Sequence, residues 1–286
     1  NKTRKLEFLL GDALAGGADT LVTVGGVQTN HGRLTAAAAA KAGLACTLVL
    51  DGARPEKLSG NLLLDCLLGA SLVYTDGRST SAVIEETLAA LRAAGRAPYF
   101  IPEGGSNAVG SAGYLAMVPE LLAQADSLPV PPARLVCTMG SLGTFAGLWL
   151  GARAFGAPFS VTGVAVNPTT GYTREKAAAL VNEMSAAYGL DIAAAPQDMD
   201  IIYADAAHDY AGPGYNVPDA KTRGAVELLA RTEGIFLDPC YTAKSFRGFC
   251  DIARELDGGA IFVHTGGTPA LWTQEHLDAF AADYWN

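Results

Sequence analysis

The sequence predicts an α/β protein built from two open parallel-sheet units. Two observations point there. Short apolar runs alternate with helix-like segments, and several runs end in glycines. Strand, glycine turn, helix, strand is the order that parallel sheets require. The runs are apolar throughout rather than alternating, as in strands covered on both faces. Half of the 286 residues are hydrophobic, enough for a sizeable core in one large domain or two smaller ones.

In chain order, "TLVTVGG" (20–26) reads as a buried strand ending in glycines. An alanine-rich helix follows at 33–44 and the strand "ACTLVLD" at 45–51. The pattern repeats with "SLVYTD" (71–76), a helix at 81–95 and "APYFIPEGG" (97–105). It returns with "RLVCTMG" (134–140), a helix at 144–156, "SVTGVAV" (160–166) and "GGAIFVHTGG" (258–267). An eightfold α/β barrel has a suitable length. The spacing is too irregular for it, and 171–215 reads as mostly helix and loop. The most linker-like stretch is "AQADSLPVPP" (123–132).

The net charge is −9 with no basic block, which disfavours nucleic acid and anionic membrane as partners. No apolar run approaches membrane-spanning length. The five cysteines form no C-x-x-C pair, so neither a disulfide framework nor a zinc site is expected, and a reducing, cytoplasmic setting fits best.

In open parallel sheets, ligands bind beyond the C-terminal strand ends. Four loops there are polar. "GGVQTNHGR" (25–33) is either a helix cap or a cap plus a ligand site. "MGSLGTFAG" (139–147) opens a helix and suits a monophosphate, unless it is only a glycine-rich turn. It has neither the spacing of a nucleoside-triphosphate loop nor that of a dinucleotide fingerprint. "DPCYTAKSF" (238–246) and "HTGGTPALW" (264–272) read as turns with Tyr241, Thr242 and Thr265 at their polar ends. A glycine- and proline-rich loop, 210–219, carries Tyr215 and could cover a site. Lys2 is either a solvated terminal charge or a working residue.

Taken together, "NKTRKLEF", "GGVQTNHGR", "EGGSNAVGSAGY", "GSLGTFAGL", "LDPCYTAK" and "HTGG" resemble the pyridoxal-phosphate enzymes of the tryptophan-synthase-β fold type. Within them they resemble the branch of D-cysteine desulfhydrase and 1-aminocyclopropane-1-carboxylate deaminase. The resemblance spans essentially the whole chain, in order. It implies that Lys2 holds pyridoxal 5'-phosphate and acts as the catalytic base. It implies that Gly140, Ser141, Leu142, Gly143 and Thr144 form the phosphate loop. Asn30 matches the asparagine beside the cofactor's phenolic oxygen, and Tyr215 and Tyr241 match active-site tyrosines. Thr29 stands where the family usually has serine, a hydroxyl facing the substrate, and its added methyl is expected to narrow the pocket.

Thr242 and Thr265 occupy positions where the deaminases have glutamate and leucine, so a neutral partner is expected at the cofactor's ring nitrogen. That favours loss of a β-substituent over ring opening. The expected substrate is a small amino acid, with D-cysteine giving pyruvate, sulfide and ammonia. Cysteate sulfo-lyase, cyclopropane deaminase and an inactive binding protein are the competing readings. The resemblance also implies a homodimer and a preceding segment, including two glycines, ahead of Lys2. The expected division is a smaller unit at 4–118 and a larger cofactor-binding unit at 119–286 together with residues 1–3.

Overall fold

The computed structural model describes residues 2–166, 171–205, 208–217 and 219–285. Asn1 and Pro218, which fall within the expected domain and loop ranges, lie outside them.

The first layer begins with α1 (Lys2–Ala15), β1 (Thr20–Gly26), α2 (Asn30–Ala42) and β2 (Ala45–Asp51). It continues with α3 (Gly60–Leu67), β3 (Ser71–Tyr74), α4 (Thr80–Ala93) and β4 (Pro98–Ile101). The strands pair in parallel in the order β3-β2-β1-β4. β1 is inner and buried along most of its length, as its unbroken apolar run requires. The alanine run of α2 packs closely because alanine adds little bulk. The helix ends at Gly43, whose φ of 73° needs a residue without Cβ strain and whose N–H caps Ala39 and Ala40.

A 3₁₀ turn at Glu103–Gly105 leads into α5 (Ala108–Leu115) and α6 (Met117–Ala125). The second layer holds β5 (Pro132–Met139), α7 (Gly143–Ala154), β6 (Ser160–Ala165), α8 (Arg174–Ala187) and β7 (Ile201–Ile202). It closes with α9 (Ala220–Glu233), α10 (Thr242–Glu255), β8 (Gly259–Val263) and α11 (Gln274–Trp285). Its parallel order is β7-β6-β5-β8. In each sheet one central strand, β1 or β5, has its onward connection on one side and a later strand on the other. Those are the switch points where α/β sheets open a crevice. The loops after β1 and β5 therefore face a ready-made site.

Among the described residues, 171–215 is mostly helix and loop, with one short strand, β7, at the free edge of β6 through Gly163 and Val164. Two residues are too few to give a readable pattern. Around the proposed division at 118/119, α5 packs against both layers: Ala108, Tyr114 and Val118 are buried in the core of the second, while Val109 packs on the core of the first. The core of the first layer is separate and includes Leu6 and Leu9 of α1.

Glycines bring α1, α5 and α7 into backbone contact. A Cβ on Gly113 would strike the carbonyl of Arg4, and one on Gly147 would strike the carbonyl of Ser111. Among the described residues no helix is long and apolar enough to cross a membrane.

Gly113→Ala is expected to lower stability by about 1–3 kcal/mol through overpacking against α1. Urea unfolding checks this. An unchanged midpoint would show that α1 can shift away from α5 without loss.

Candidate active site

Lys2 and Lys5 stand three residues apart on α1 and so share a face. Their Nζ atoms converge on one acceptor. Each donates to the Gly104 carbonyl at 3.0 Å, and Lys5 also donates to Ser106 Oγ at 3.2 Å. Lys5 is fully buried and makes no ion pair among the described residues. Burial, and then the charge of Lys2, push its amine well below the usual lysine range. Burial lowers the Lys2 amine to about 8, against the opposing pull of the Glu103 carboxylate. Tyr172 holds Glu103 by donating its hydroxyl to Oε2 at 3.0 Å.

The loop after β5 meets this pair. Ser106 Oγ accepts from Lys5 and from the N–H of Gly143 at 3.1 Å, and donates to Ser141 Oγ at 2.9 Å. Gly143 begins α7, so the positive end of the helix and a buried ammonium lie together. The space is tight. A Cβ on Gly143 would stand 2.7 Å from Lys5 Nζ, and one on Gly104 would stand 2.6 Å from Ser141 Oγ and 3.0 Å from Lys2 Nζ. A buried cation without a carboxylate, hydroxyls, a helix N-terminus and a glycine-lined cradle suit a bound phosphate. These residues fit pyridoxal phosphate: Lys2 would hold it, and Lys5, Ser106, Ser141, Thr144 and the loop backbone would hold its phosphate.

The loop after β1 forms the opposite wall. Thr29 caps α2, with its hydroxyl accepting from Gly32 N at 3.2 Å. Its methyl stands close to both Gly32 and Gly25, where an added Cβ would meet it, and Thr29 itself lines the cavity. Gln28 is structural: its side chain and backbone bind Asn61 and Ser59 at the start of α3. Asn30 Oδ1 accepts from Asn61 Nδ2 at 2.8 Å. That acceptance directs the Asn30 amide nitrogen toward Gly267, where a Cβ would lie 2.9 Å from it.

His31 is buried, and its Nε2 lies 2.8 Å from Thr23 Oγ1. The Thr23 hydroxyl donates to Ile101 O, so the ring must donate from Nε2. Nδ1 is then a bare acceptor without a partner among the described residues. Burial, then Lys2 and Lys5, keep this imidazole neutral.

Tyr215 and Tyr241 meet edge to face, with ring centroids 5.8 Å apart. Gly140 lies under Tyr241, since a Cβ there would be 2.7 Å from the ring. Tyr215 reaches the end of β1, where a Cβ on Gly26 would be 3.4 Å from it. Burial raises both phenols, so both stay protonated.

Asp238 lies on the same wall and is buried. Its carboxylate accepts from the N–H groups of Cys240, Tyr241 and Thr242 at 2.9, 2.8 and 3.0 Å, and from the Thr242 hydroxyl at 2.9 Å. That hydroxyl in turn accepts from Asp238 N at 2.8 Å. Burial raises the Asp238 carboxyl above its usual value, opposed by the donors around it.

One cavity of about 650 Å³ gathers these walls. Of the sequence-predicted residues, Lys2, Thr29, Asn30, Gly140, Ser141, Thr144, Tyr215, Tyr241 and Thr265 line it. Leu142 and Gly143 are not among the lining residues; the Gly143 N–H donates to Ser106 Oγ. Thr242 is fully buried and is not among the lining residues; its hydroxyl donates to the carboxylate of Asp238, which is one of them. Sequence reasoning missed Lys5, Ser106, Glu103 and Asp238. The three-residue spacing in "KTRK" was a usable signal for Lys5; the other three depend on loops meeting from distant parts of the chain. Among the described residues no group of three or more His, Cys, Asp or Glu could hold a metal ion.

Residues 1–266 match the family model described as pyridoxal-phosphate dependent enzyme. D-cysteine desulfhydrase of Yersinia enterocolitica is 39% identical over 282 residues, covering 95% of this chain and 83% of that protein. A protein of Pyrococcus abyssi provisionally named 1-aminocyclopropane-1-carboxylate deaminase is 39% identical over 277 residues, covering 95% of this chain and 81% of that one. The solved structure of a homologue of that deaminase superposes with a TM-score of 0.87 at 34% identity, covering 98% of this chain and 83% of that one.

Gly143→Val is expected to abolish cofactor binding by filling the cradle beside Lys5, whereas Ser141→Ala weakens it only modestly. Absorbance of the bound cofactor measures both, and normal loading of Gly143→Val would place the cradle elsewhere. Lys2 must be deprotonated to bond the cofactor. The rate of cofactor capture by the apoprotein should rise about tenfold per pH unit up to its midpoint near 8, then level off. Glu103 raises the Lys2 pKa, so Glu103→Gln should move that midpoint to lower pH.

Proposed function

Because this chain belongs to the pyridoxal-phosphate-dependent enzyme family, we propose that it is a lyase removing a β-sulfur substituent from a small amino acid. D-cysteine is the preferred substrate, with pyruvate, sulfide and ammonia as products. The observation that carries the proposal is the polarity of the wall around Asp238, Thr242 and Thr265. The Asp238 carboxylate there has its two oxygens engaged by four donors. A carboxylate so engaged is a poor partner for a ring nitrogen, and Thr265 presents a neutral side chain on the cavity wall. A weak electron sink suffices when a leaving group departs with its electrons.

Pyridoxal phosphate, when bound, supplies a ring that takes up the charge left behind by the Cα proton. Lys2 Nζ removes that proton, a task suited to an amine lowered toward neutrality. Lys5 and the start of α7 neutralise the phosphate. Thr29 keeps its hydroxyl oxygen on Gly32 N and can turn its hydrogen toward a substrate carboxylate. Neutral His31 offers an acceptor without adding a second positive charge beside Lys2. Protonated Tyr215 and Tyr241 can donate to the departing sulfur and close the cavity on that side. Relatives named D-cysteine desulfhydrase and the homologue of the cyclopropane deaminase are both similar to this chain, so the choice between them rests on the wall just described.

Steady-state rates on D-cysteine, L-cysteine, cysteate and the cyclopropane acid decide the assignment. Pyruvate release from D-cysteine should dominate, with little ketobutyrate from the cyclopropane acid. Efficient ring opening, or preference for cysteate, would refute it. Thr29→Ser should retain most activity and the α2 cap, while Thr29→Ala should lose activity and about 1 kcal/mol of stability.

A further inference from the structure

The loop carrying Tyr215 is tied to the same helix start that carries Tyr241. Lys244, on the first turn of α10, is fully buried. Its ammonium donates to the carbonyls of Ala211 and Gly214 at 2.7 and 2.8 Å, bracketing the turn just before Tyr215. On the other side of Tyr215, Asn216 has a φ of 55°, a left-handed conformation that asparagine tolerates better than most residues. Its Oδ1 accepts from the Cys240 thiol at 2.8 Å and lies 3.1 Å from His276 Nε2. An amide oxygen only accepts, so His276 donates from Nε2. Cys240 directly precedes Tyr241, and His276 comes from α11. Both are buried. Asp219 balances the charge: Gly212 separates it from Lys244, a Cβ there being 3.0 Å from Asp219 Oδ2 and 3.7 Å from Lys244 Cε.

Tyr215 itself is 37% exposed, and its ring rests against Tyr241 and the end of β1 at Gly26. That contact is framed by its neighbours in sequence, which are hydrogen-bonded on both sides. A buried ammonium is costly to desolvate, and the carbonyls it binds are held firmly in return.

We propose that Lys244, Asn216, Cys240 and His276 form a clamp that fixes residues 211–217 on the start of α10 and so sets the contact between Tyr215 and Tyr241. They are positioning residues, acting through Tyr215 and not on the substrate. The proposal rests on the reading that these tyrosines serve the reaction, but the clamp itself can be tested without any substrate.

The test uses the cofactor-loaded protein with Asn216→Gly, which keeps the backbone conformation accessible and removes the amide, and with Lys244→Met. Amide hydrogen exchange at 211–217 should quicken by about tenfold or more, while β5, α7 and cofactor absorbance stay unchanged. With the substrate that the wild type turns over, kcat should fall about tenfold with KM within about twofold. That loss should vanish on a Tyr215→Phe background, as expected of residues acting through one group. Cys240→Ser should keep wild-type behaviour, and Cys240→Ala should resemble Asn216→Gly. If Lys244→Met does not fold, the Asn216 and Cys240 variants carry the test alone. Unchanged exchange at 211–217 overturns the clamp, and so does a kcat loss that persists undiminished with Tyr215→Phe. If the wild type turns over none of the amino acids, the proposed reaction fails while the exchange data still decide the clamp.

Discussion

Two lysine ammonium groups share one backbone carbonyl, that of Gly104. Much of the site depends on this crowding. Lys5 is fully buried and has no carboxylate beside it among the described residues. A buried charge without a counter-charge is costly. The protein offsets this with a carbonyl, a serine hydroxyl and a cavity open to an anionic ligand. Burial pushes the Lys2 amine toward neutrality, which its proposed work requires, and the charge of Lys2 in turn lowers the Lys5 amine. Burial first, and then the charges of the two lysines, keep His31 uncharged.

Holding both lysines at that point requires α1 to lie hard against α5, and α5 against α7. Glycines make these approaches possible, with backbone where side chains would normally stand. The loop after β5 is thereby brought onto Lys5 through Ser106. Packing density and site chemistry are consequently one constraint. A methyl group added at Gly113 disturbs the helix that carries both lysines.

The other wall is organised by a buried carboxylate instead of a buried cation. Asp238 gathers the first N–H groups of the segment leading into α10 and the hydroxyl of Thr242. This fixes Tyr241 by its backbone, while the bonds of Lys244 and Asn216 bring Tyr215 against it. The cavity thus has a cationic end at α1 and α7 and a neutralised acidic end at α10. A ligand with a phosphate at one end and a ring at the other matches that polarity.

The sequence by itself determined the two parallel layers, because fully buried strands must be apolar along their length and glycines must stand where strands turn into helices. Strands β1, β2 and β5 and the helices α2 and α7 were legible for that reason. The ordered set of motifs also pointed to Lys2, Thr29, Asn30 and the 140–144 loop, and Lys2, Thr29, Asn30, Gly140, Ser141 and Thr144 line one cavity. The tertiary structure alone decided what converges. Ser106 meets Gly143, Glu103 meets Tyr172, and Asn216 meets Cys240 and His276, each across loops far apart in the chain. It also brought the Thr242 hydroxyl onto Asp238 and packed α5 against both layers. Periodicity reports which face of an element is buried. It carries no information on which distant loop supplies the partner, since that depends on how helices cross and on where a single missing Cβ lets two backbones touch.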